Sequence, residues 1–380
     1  MATLVVEGWR FIPHSYALVN QHQLAALAAR PGLELFHRDL AYYNPAWTPR
    51  PGTMPAESER VVRAIPEPPA DLVPDALLRI AVPYDFRDAG ARRTFIFGTA
   101  EFGAVMAAAV RDGQALARAI AGGNARVITP SNWSREGFIR SGMPAERIDV
   151  VPHGIDPLLH RPPTPDERAT ARRSLRIADD AFVFLNIGAM TQNKGLDHLF
   201  RAFASLVPTH PRARLLLKGI DALYPSSQFL RQTALRIPPA DMQAVMQRTH
   251  GIVDALSAEG VVRLYHAADA YVCPYLAEGF NLPALEAAAC GLPVICTADG
   301  PTDDFTTADF ALPIDSDRTP HAESGGFMLV PRDESLLACM RRVIDDDAWR
   351  AQSAVAGPAF VRKGFTWELV AERLLNVLLP

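Results

Sequence analysis

Two glutamates eight positions apart, Glu278 and Glu286, bracket the residues of this chain best suited to chemistry. They stand in EGFNLPALEAAACGLPVICT, residues 278 to 297, where a loop opens a short helix, Gly291 closes it, and an apolar strand follows. The N–H groups of Phe280, Asn281 and Leu282 are expected at the positive end of that helix, where a phosphate or a sugar hydroxyl replaces the missing carbonyl partners. Pro283 suits the N1 position, and Gly291 suits the left-handed position after the helix, before Pro293 bars continuation. Glu278 precedes the first turn and Glu286 lies inside the helix, so both carboxylates flank the anion site, each able to accept two hydroxyl hydrogen bonds. Vicinal hydroxyls are what sugars offer. Two glutamates at this spacing also occur on ordinary surface helices; the Gly-Phe-x-Leu-Pro entry and the Cys-Gly-Leu-Pro-Val exit set this segment apart.

The elements that must position these residues alternate between short apolar runs and segments of helical period, the pattern of βαβ units and parallel sheets. In the first half, strands are expected at 3–6, 33–37, 78–82, 94–97, 125–129 and 149–151, with helices at 15–29, 105–121 and 133–141. In the second, strands are expected at 182–187, 214–217, 270–273, 293–297 and 327–330, with helices at 196–206, 257–267 and 336–344. The Gly- and Pro-rich VPHGIDPLLHRPPTP, residues 151 to 165, is the natural linker. Two doubly wound sheets joined in this way place a cleft at the carboxyl ends of their strands, where such sheets bind ligands. A last helix is expected at 367–379, and the proline-rich loop at 39–74 either shapes an acceptor side or covers an edge.

At 380 residues the chain is long enough for two domains, each with its own core. With 49% hydrophobic residues, a net charge of −4 and no charged-then-apolar leader, it reads as globular and cytoplasmic, dissolved or at most loosely attached to a membrane. No block of Lys and Arg stands out, which argues against a nucleic-acid partner and gives no support to an anionic-lipid anchor. Cys273, Cys290, Cys296 and Cys339 lack metal-ligand spacing and read as core residues; no metal site is expected. Asp315-Ser316-Asp317 reads as a solvated loop. Lysine occurs only at Lys194, Lys218 and Lys363, against a background of arginine.

The Glu278–Glu286 segment resembles the E-x7-E signature of the retaining, nucleotide-sugar-dependent glycosyltransferases of the GT-B fold, family 4, also called glycosyl transferases group 1. Further segments resemble that family in the expected order: SNWSREGFIRSGMPAERIDVVPHGID for its interdomain passage, with His153 where asparagine is usual; FLNIGAMTQNKGLDHLFRAF for the strand, glycine turn and lysine that meet the donor diphosphate; and LYHAADAYVCPYLAEGF before the first glutamate. Together they cover most of residues 127 to 310.

The resemblance implies an α/β fold of GT-B type, two Rossmann-like doubly wound parallel-sheet domains facing a cleft. Residues 1–158 would form the acceptor-side domain, with helix 364–380 packing back on it, and 159–363 the domain that binds the nucleotide sugar. It implies transfer of a hexose-like sugar from a UDP- or GDP-sugar to a hydroxyl acceptor, a saccharide or glycolipid, in polysaccharide or glycoconjugate synthesis. No cofactor beyond the donor is implied. Lys194, Glu278 and Glu101 would be catalytic. Gly188, Thr191, Asn193, Lys194, Ile252, Val253, Phe280, Asn281, Leu282, Glu286 and Gly8 would hold the donor, the base being read by backbone around Gly251-Ile252-Val253. Asp303 matches an acidic position near the donor sugar.

Two departures stand against the family pattern. The arginine usual after the glycine is Ala189 here, leaving Gly188, Thr191, Asn193 or Arg10 to supply the missing donors. The loop after strand 94–97, Gly98-Thr99-Ala100-Glu101-Phe102-Gly103, lacks the family histidine; Glu101 either takes the polar role against the donor sugar or is an ordinary glutamate of a helix's first turn. After strand one only Gly8 of the family's Gly-rich loop remains, followed by His14, Ser15, Tyr16, Asn20 and Gln21; these either touch acceptor or phosphate, or cap a helix at Ser15 with His14 in solvent. These departures also admit a non-catalytic nucleotide-sugar-binding subunit, or a GT-B epimerase.

Overall fold

The alternating apolar runs become two six-stranded parallel sheets, each inside its own compact unit. The computed structural model describes residues 2–380. The first unit comprises residues up to Gly154 together with Pro320–Phe327 and Phe365–Pro380; the second comprises Ile155–Thr319 and Met328–Gly364.

In the first unit the strands are β1 (Ala2–Gly8), β2 (Leu33–Asp39), β3 (Ala76–Ile80), β4 (Thr94–Phe97), β5 (Arg126–Thr129) and β6 (Ile148–Val150). Their order is β2-β1-β3-β4-β5-β6, all pairs parallel, so the winding reverses beside β1. Leu4, Val5, Val6, Leu77, Leu78, Phe95 and Ile96 are all buried, as expected where helices cover both faces of a parallel sheet. The terminal helix Trp367–Leu378 is capped by Thr366, buries Val370, Ala371, Leu374 and Leu378, and stacks Trp367 on His22 of helix Ser15–Ala28 at 5.2 Å.

The helix expected at 105–121 does not form. The segment folds as two 3-10 turns, Ala107–Ala109 and Arg111–Gly113, and a four-residue helix, Leu116–Ala119. Asp112 and Gly113 take positive φ, and the Tyr84 amide donates to Ala109 while Arg111 donates back to Tyr84. Tertiary pairing with Tyr84 overrides the helix preference of the alanines.

In the second unit the strands are β7 (Phe182–Ile187), β8 (Ala213–Lys218), β9 (Thr249–Ile252), β10 (Ala270–Cys273), β11 (Val294–Thr297) and β12 (Ala311–Ile314). Their order is β12-β11-β10-β7-β8-β9, again parallel. The chain winds outward one way from β7 and the other way from β10, so the switch point lies between these two neighbours. In open α/β sheets ligands bind outside the carboxyl ends of the strands at that point. Helices Leu196–Leu206 and Asp333–Asp345 pack Leu199, Phe203, Leu336 and Met340 on this sheet with Phe184, Leu215 and Val272.

The edge strands β9 and β12 escaped the sequence reading. One is short with a glycine, and the other carries Pro313, which a sheet tolerates at its edge. The strand expected at 327–330 does form, as β14 (Gly326–Pro331), but it pairs with β13 (Ser316–His321) in a separate two-stranded sheet. Asp315-Ser316-Asp317 therefore leads into a strand instead of lying in a loop, and Asp317 makes a two-pronged ion pair with Arg332 at 2.6 and 3.1 Å. Among the described residues no helix is long and apolar enough to cross a membrane.

Candidate functional site

The site starts at the carboxyl end of β7. After Gly188 the chain turns through Met190, at φ +60°, into a 3-10 turn, Gln192–Lys194, and leaves it through Gly195, at φ +66°, into helix Leu196–Leu206. The turn is tied to the loop after β10. The Asn193 side-chain amide donates to the Ala277 carbonyl at 3.0 Å, and the Asn193 carbonyl accepts from the Leu276 amide at 2.8 Å. The Thr191 hydroxyl donates to Asn193 Oδ1 at 2.6 Å. Across this seam Lys194 Nζ meets Glu278 Oε1 at 2.5 Å, with side chains 21% and 12% exposed. The switch point thus holds a half-buried ion pair that solvent reaches.

The helix after Glu278 runs Leu282–Ala289, so Pro283 is its second residue, one place later than the sequence suggests. Its missing N–H still falls among the four that lack intrahelical acceptors. Asn281 caps the helix at φ +74°, a conformation asparagine tolerates. Its side chain accepts from the Ala284 amide at 3.2 Å and donates to Cys273 Sγ at 3.2 Å. Phe280 is buried against Phe305, while Leu282 is half-buried at the helix mouth. At the far end Gly291, φ +82°, closes a Schellman motif, its amide bonding Ala288 and that of Leu292 bonding Ala287.

Glu286 faces inward from this helix. The Tyr265 hydroxyl donates to its Oε2 at 2.6 Å, and His160 Nε2 stands 3.7 Å from its Oε1. Burial pushes its carboxyl up to about 7 and holds His160 neutral, down to about 4. A carboxyl whose value is raised on folding retains its proton in the folded state while the unfolded chain has lost it. Its contribution to stability therefore falls as pH rises from about 4.5 to about 7. Glu286→Gln is expected to melt above the parent at pH 8, by on the order of 2 kcal/mol once the 17% of the side chain open to water is discounted, with the gap closing toward pH 5. Melting curves across that range check it; a gap unchanged with pH would mean the carboxyl is already ionised at pH 5.

Several of the expected binding groups prove to be engaged within their own unit. The Gly188 amide donates to Lys218 at 3.0 Å, and the Ile252 and Val253 carbonyls accept from Gly219 and Asp221 at 2.8 and 2.9 Å. Arg10 grips Asp39 at 2.9 and 2.6 Å and donates to the Val62 carbonyl at 3.0 Å. Asn20 and Gln21 are fully buried: Asn20 bonds the Trp9 carbonyl and His37, and Gln21 bonds Phe11 and Thr53. His14, not Ser15, caps helix Ser15–Ala28, and burial lowers it to about 4. Gly8 is required by packing, since a Cβ there would stand 2.5 Å from Ile80 Cγ2.

Glu101, half-buried, follows the β4 strand, and its carbonyl accepts from Trp133 Nε1 at 2.9 Å. The loop before it is held by a buried hydroxyl cluster: Tyr84 OH donates to the Thr99 carbonyl at 2.8 Å, accepts from the Thr99 amide at 2.9 Å, and lies 2.8 Å from Tyr16 OH. Tyr84, Tyr265 and His160 carry no sequence signal of their own. Only the helical spacing of Tyr265 ahead of β10 could have pointed inward. Among the described residues no group of three or more His, Cys, Asp or Glu side chains is placed to hold a metal ion.

Residues 167–315 match the family described as glycosyl transferases group 1. The GDP-mannose-dependent monoacylated alpha-(1-6)-phosphatidylinositol monomannoside mannosyltransferase of Corynebacterium glutamicum is 25% identical over 238 residues, 61% of this chain and 56% of that protein. A D-inositol 3-phosphate glycosyltransferase of Actinosynnema mirum is 38% identical over 160 residues, 40% of this chain and 36% of its own length. The chain thus spans about half the length, or less, of these curated relatives. The crystal structure of Anabaena Alr3699/HepE in complex with UDP and glucose superposes with a TM-score of 0.72 at 16% identity, covering 100% of this chain and 99% of that one, a likeness of fold. With its two Rossmann-like units and its matched segment running from residue 167 through β12, the chain is a GT-B-fold protein related to the glycosyl transferases group 1 family.

Proposed function

We propose that the protein is a retaining glycosyltransferase that moves a hexose-like sugar from a UDP- or GDP-sugar to a hydroxyl acceptor. The observation that carries this reading is the Lys194–Glu278 pair at the switch point of the second sheet, with the mouth of helix Leu282–Ala289 beside it. In the free protein each charge satisfies the other. A donor replaces that contact with two better-matched ones, phosphate oxygen to ammonium and sugar hydroxyl to carboxylate. Glu286, inside the helix, takes the ribose hydroxyls, and the base lies along the Ile252–Val253 end of β9.

As the bond from the anomeric carbon to the diphosphate breaks, negative charge grows on the leaving oxygen, where Lys194 and the first-turn amides are fixed in advance. The acceptor oxygen bonds to the anomeric carbon on the same face, and its proton passes to the departing phosphate. Gly188, Thr191 and Asn193 serve this scheme mainly as the frame that aims Lys194. Glu101, held by the Tyr84–Thr99 cluster, is assigned to hydroxyl recognition in the first unit. The GDP-mannose dependence of the Corynebacterium glutamicum relative, and the UDP and glucose bound in the Anabaena structure of the same fold, support a sugar nucleotide of this class.

A thermal-shift series with UDP, GDP and their sugars tests the reading, since a ligand at a hundred times its Kd stabilises by about 2.7 kcal/mol. Stabilisation by one nucleotide, together with slow release of that nucleoside diphosphate from its sugar, is the expected result. Binding without any release, with or without sugar acceptors, would leave a nucleotide-sugar-binding subunit. No stabilisation by either nucleotide would sink both readings.

A further inference from the structure

Lys218 is the last residue of β8, the strand between β7 and β9, in register with Ile187 on one side and Ile252 on the other. It therefore stands at the carboxyl end of the sheet, one strand over from the turn that carries Lys194 and level with the end of β9. Yet it is only 5% exposed. An ammonium offers three donors and accepts nothing. Here Nζ donates to the carbonyl of Gly219, its own neighbour. Among the described residues no carboxylate forms an ion pair with it, Asp254 acting on it only from a distance.

The polar groups around it are already spent. The Lys218 carbonyl accepts from Gly188, the Gly219 amide bonds Ile252, and Ser226 Oγ accepts from Ile220 at 2.9 Å and donates to the Ala189 carbonyl at 3.1 Å. A buried cation with one neutral partner costs stability, and an apolar side chain would serve the fold better. What such an ammonium lacks is an oxygen acceptor arriving from outside at the ligand-binding end of the sheet.

We propose that Lys218 contacts the bound nucleotide, its ammonium donating to an oxygen acceptor, either an oxo group of the base or a phosphate oxygen. This rests on the sugar-nucleotide reading above and adds to it a second cation, one strand away from Lys194. The downward shift of Lys218 to about 8, caused by desolvation, fits a charge that awaits a partner.

The test is calorimetric titration of UDP, GDP and the matching nucleosides into the parent, Lys218→Met, Lys218→Gln and, as a control, Glu286→Gln, with a melting curve of each free protein. Lys218→Met is expected to melt at or above the parent while binding the nucleoside diphosphate about 10- to 100-fold more weakly. Equal weakening for the nucleoside places the acceptor on the base, and weakening of the diphosphate alone places it on phosphate. Lys218→Gln, which keeps N–H donors without charge, reports the same loss should the methionine variant fail to fold. Unchanged affinity in a folded Lys218 variant, beside a weakened Glu286→Gln, overturns the proposal and spares the donor site. A parent that binds neither UDP nor GDP overturns both.

Discussion

Lys194→Ala is expected to lower kcat for release of nucleoside diphosphate by about 10²- to 10³-fold, the loss typical of one preorganised group facing developing charge. Donor affinity should fall by less, because the phosphate in the ground state keeps the helix mouth and the neighbouring amides. Single-turnover measurements at saturating donor separate the two quantities. The substitution also strips Glu278 of its cation, leaving a carboxylate that is only 12% exposed without its partner. Part of any loss could then come from a loosened loop. The melting temperature of Lys194→Ala resolves this: a loosened loop lowers it, whereas loss of the contact to the leaving phosphate alone leaves it near that of the parent. A single variant that keeps parental kcat removes Lys194 from the chemistry.

Much of this site could be read along the chain because its elements are local. The E-x7-E loop, the short helix it opens, and Gly291 at the helix end all act within a few residues, so spacing and residue type suffice. The two runs of alternating strands and helices were equally legible, and with them the carboxyl ends of parallel strands as the place for a ligand; the strand order that sets the switch point was not. What could not be read depends on long-range partners. Gly188, Ile252 and Val253 look like free backbone in sequence, but the Gly188 amide and the Ile252 and Val253 carbonyls are already bonded. Asn20 and Gln21 look like polar residues awaiting a ligand, and turn out to satisfy buried backbone and side chains 10 to 32 positions away. The alanine-rich run at 105–121 was a helix by propensity until Tyr84 claimed its backbone. Tyr265 and His160, which surround Glu286 with nothing positively charged, meet it only through the packing of three separate segments.

The seam that aims Lys194 leads to the second large effect. A Cβ on Gly195 would stand 1.8 Å from the Pro274 carbonyl oxygen, and φ at this residue is +66°. The two nearest atoms both belong to the Pro274 backbone, so relief requires the turn after β7 to separate from the loop after β10. Gly195→Ala should therefore destabilise the second unit by about 3 kcal/mol or more, against roughly 1 kcal/mol for the left-handed backbone alone. Gly291→Ala supplies the comparison. Its φ is +82°, but its nearest contact, the Ala354 carbonyl, lies 3.1 Å away, so it carries the backbone term with little of the clash. Denaturant melts of the two variants isolate the contact. Because the Asn193–Ala277 and Lys194–Glu278 links cross the same seam, folded Gly195→Ala should also lose turnover out of proportion to its stability, whereas Gly291→Ala should not. Equal stability in the two variants would show that the seam yields without cost, and a yielding seam could not hold Lys194 where the leaving phosphate needs it.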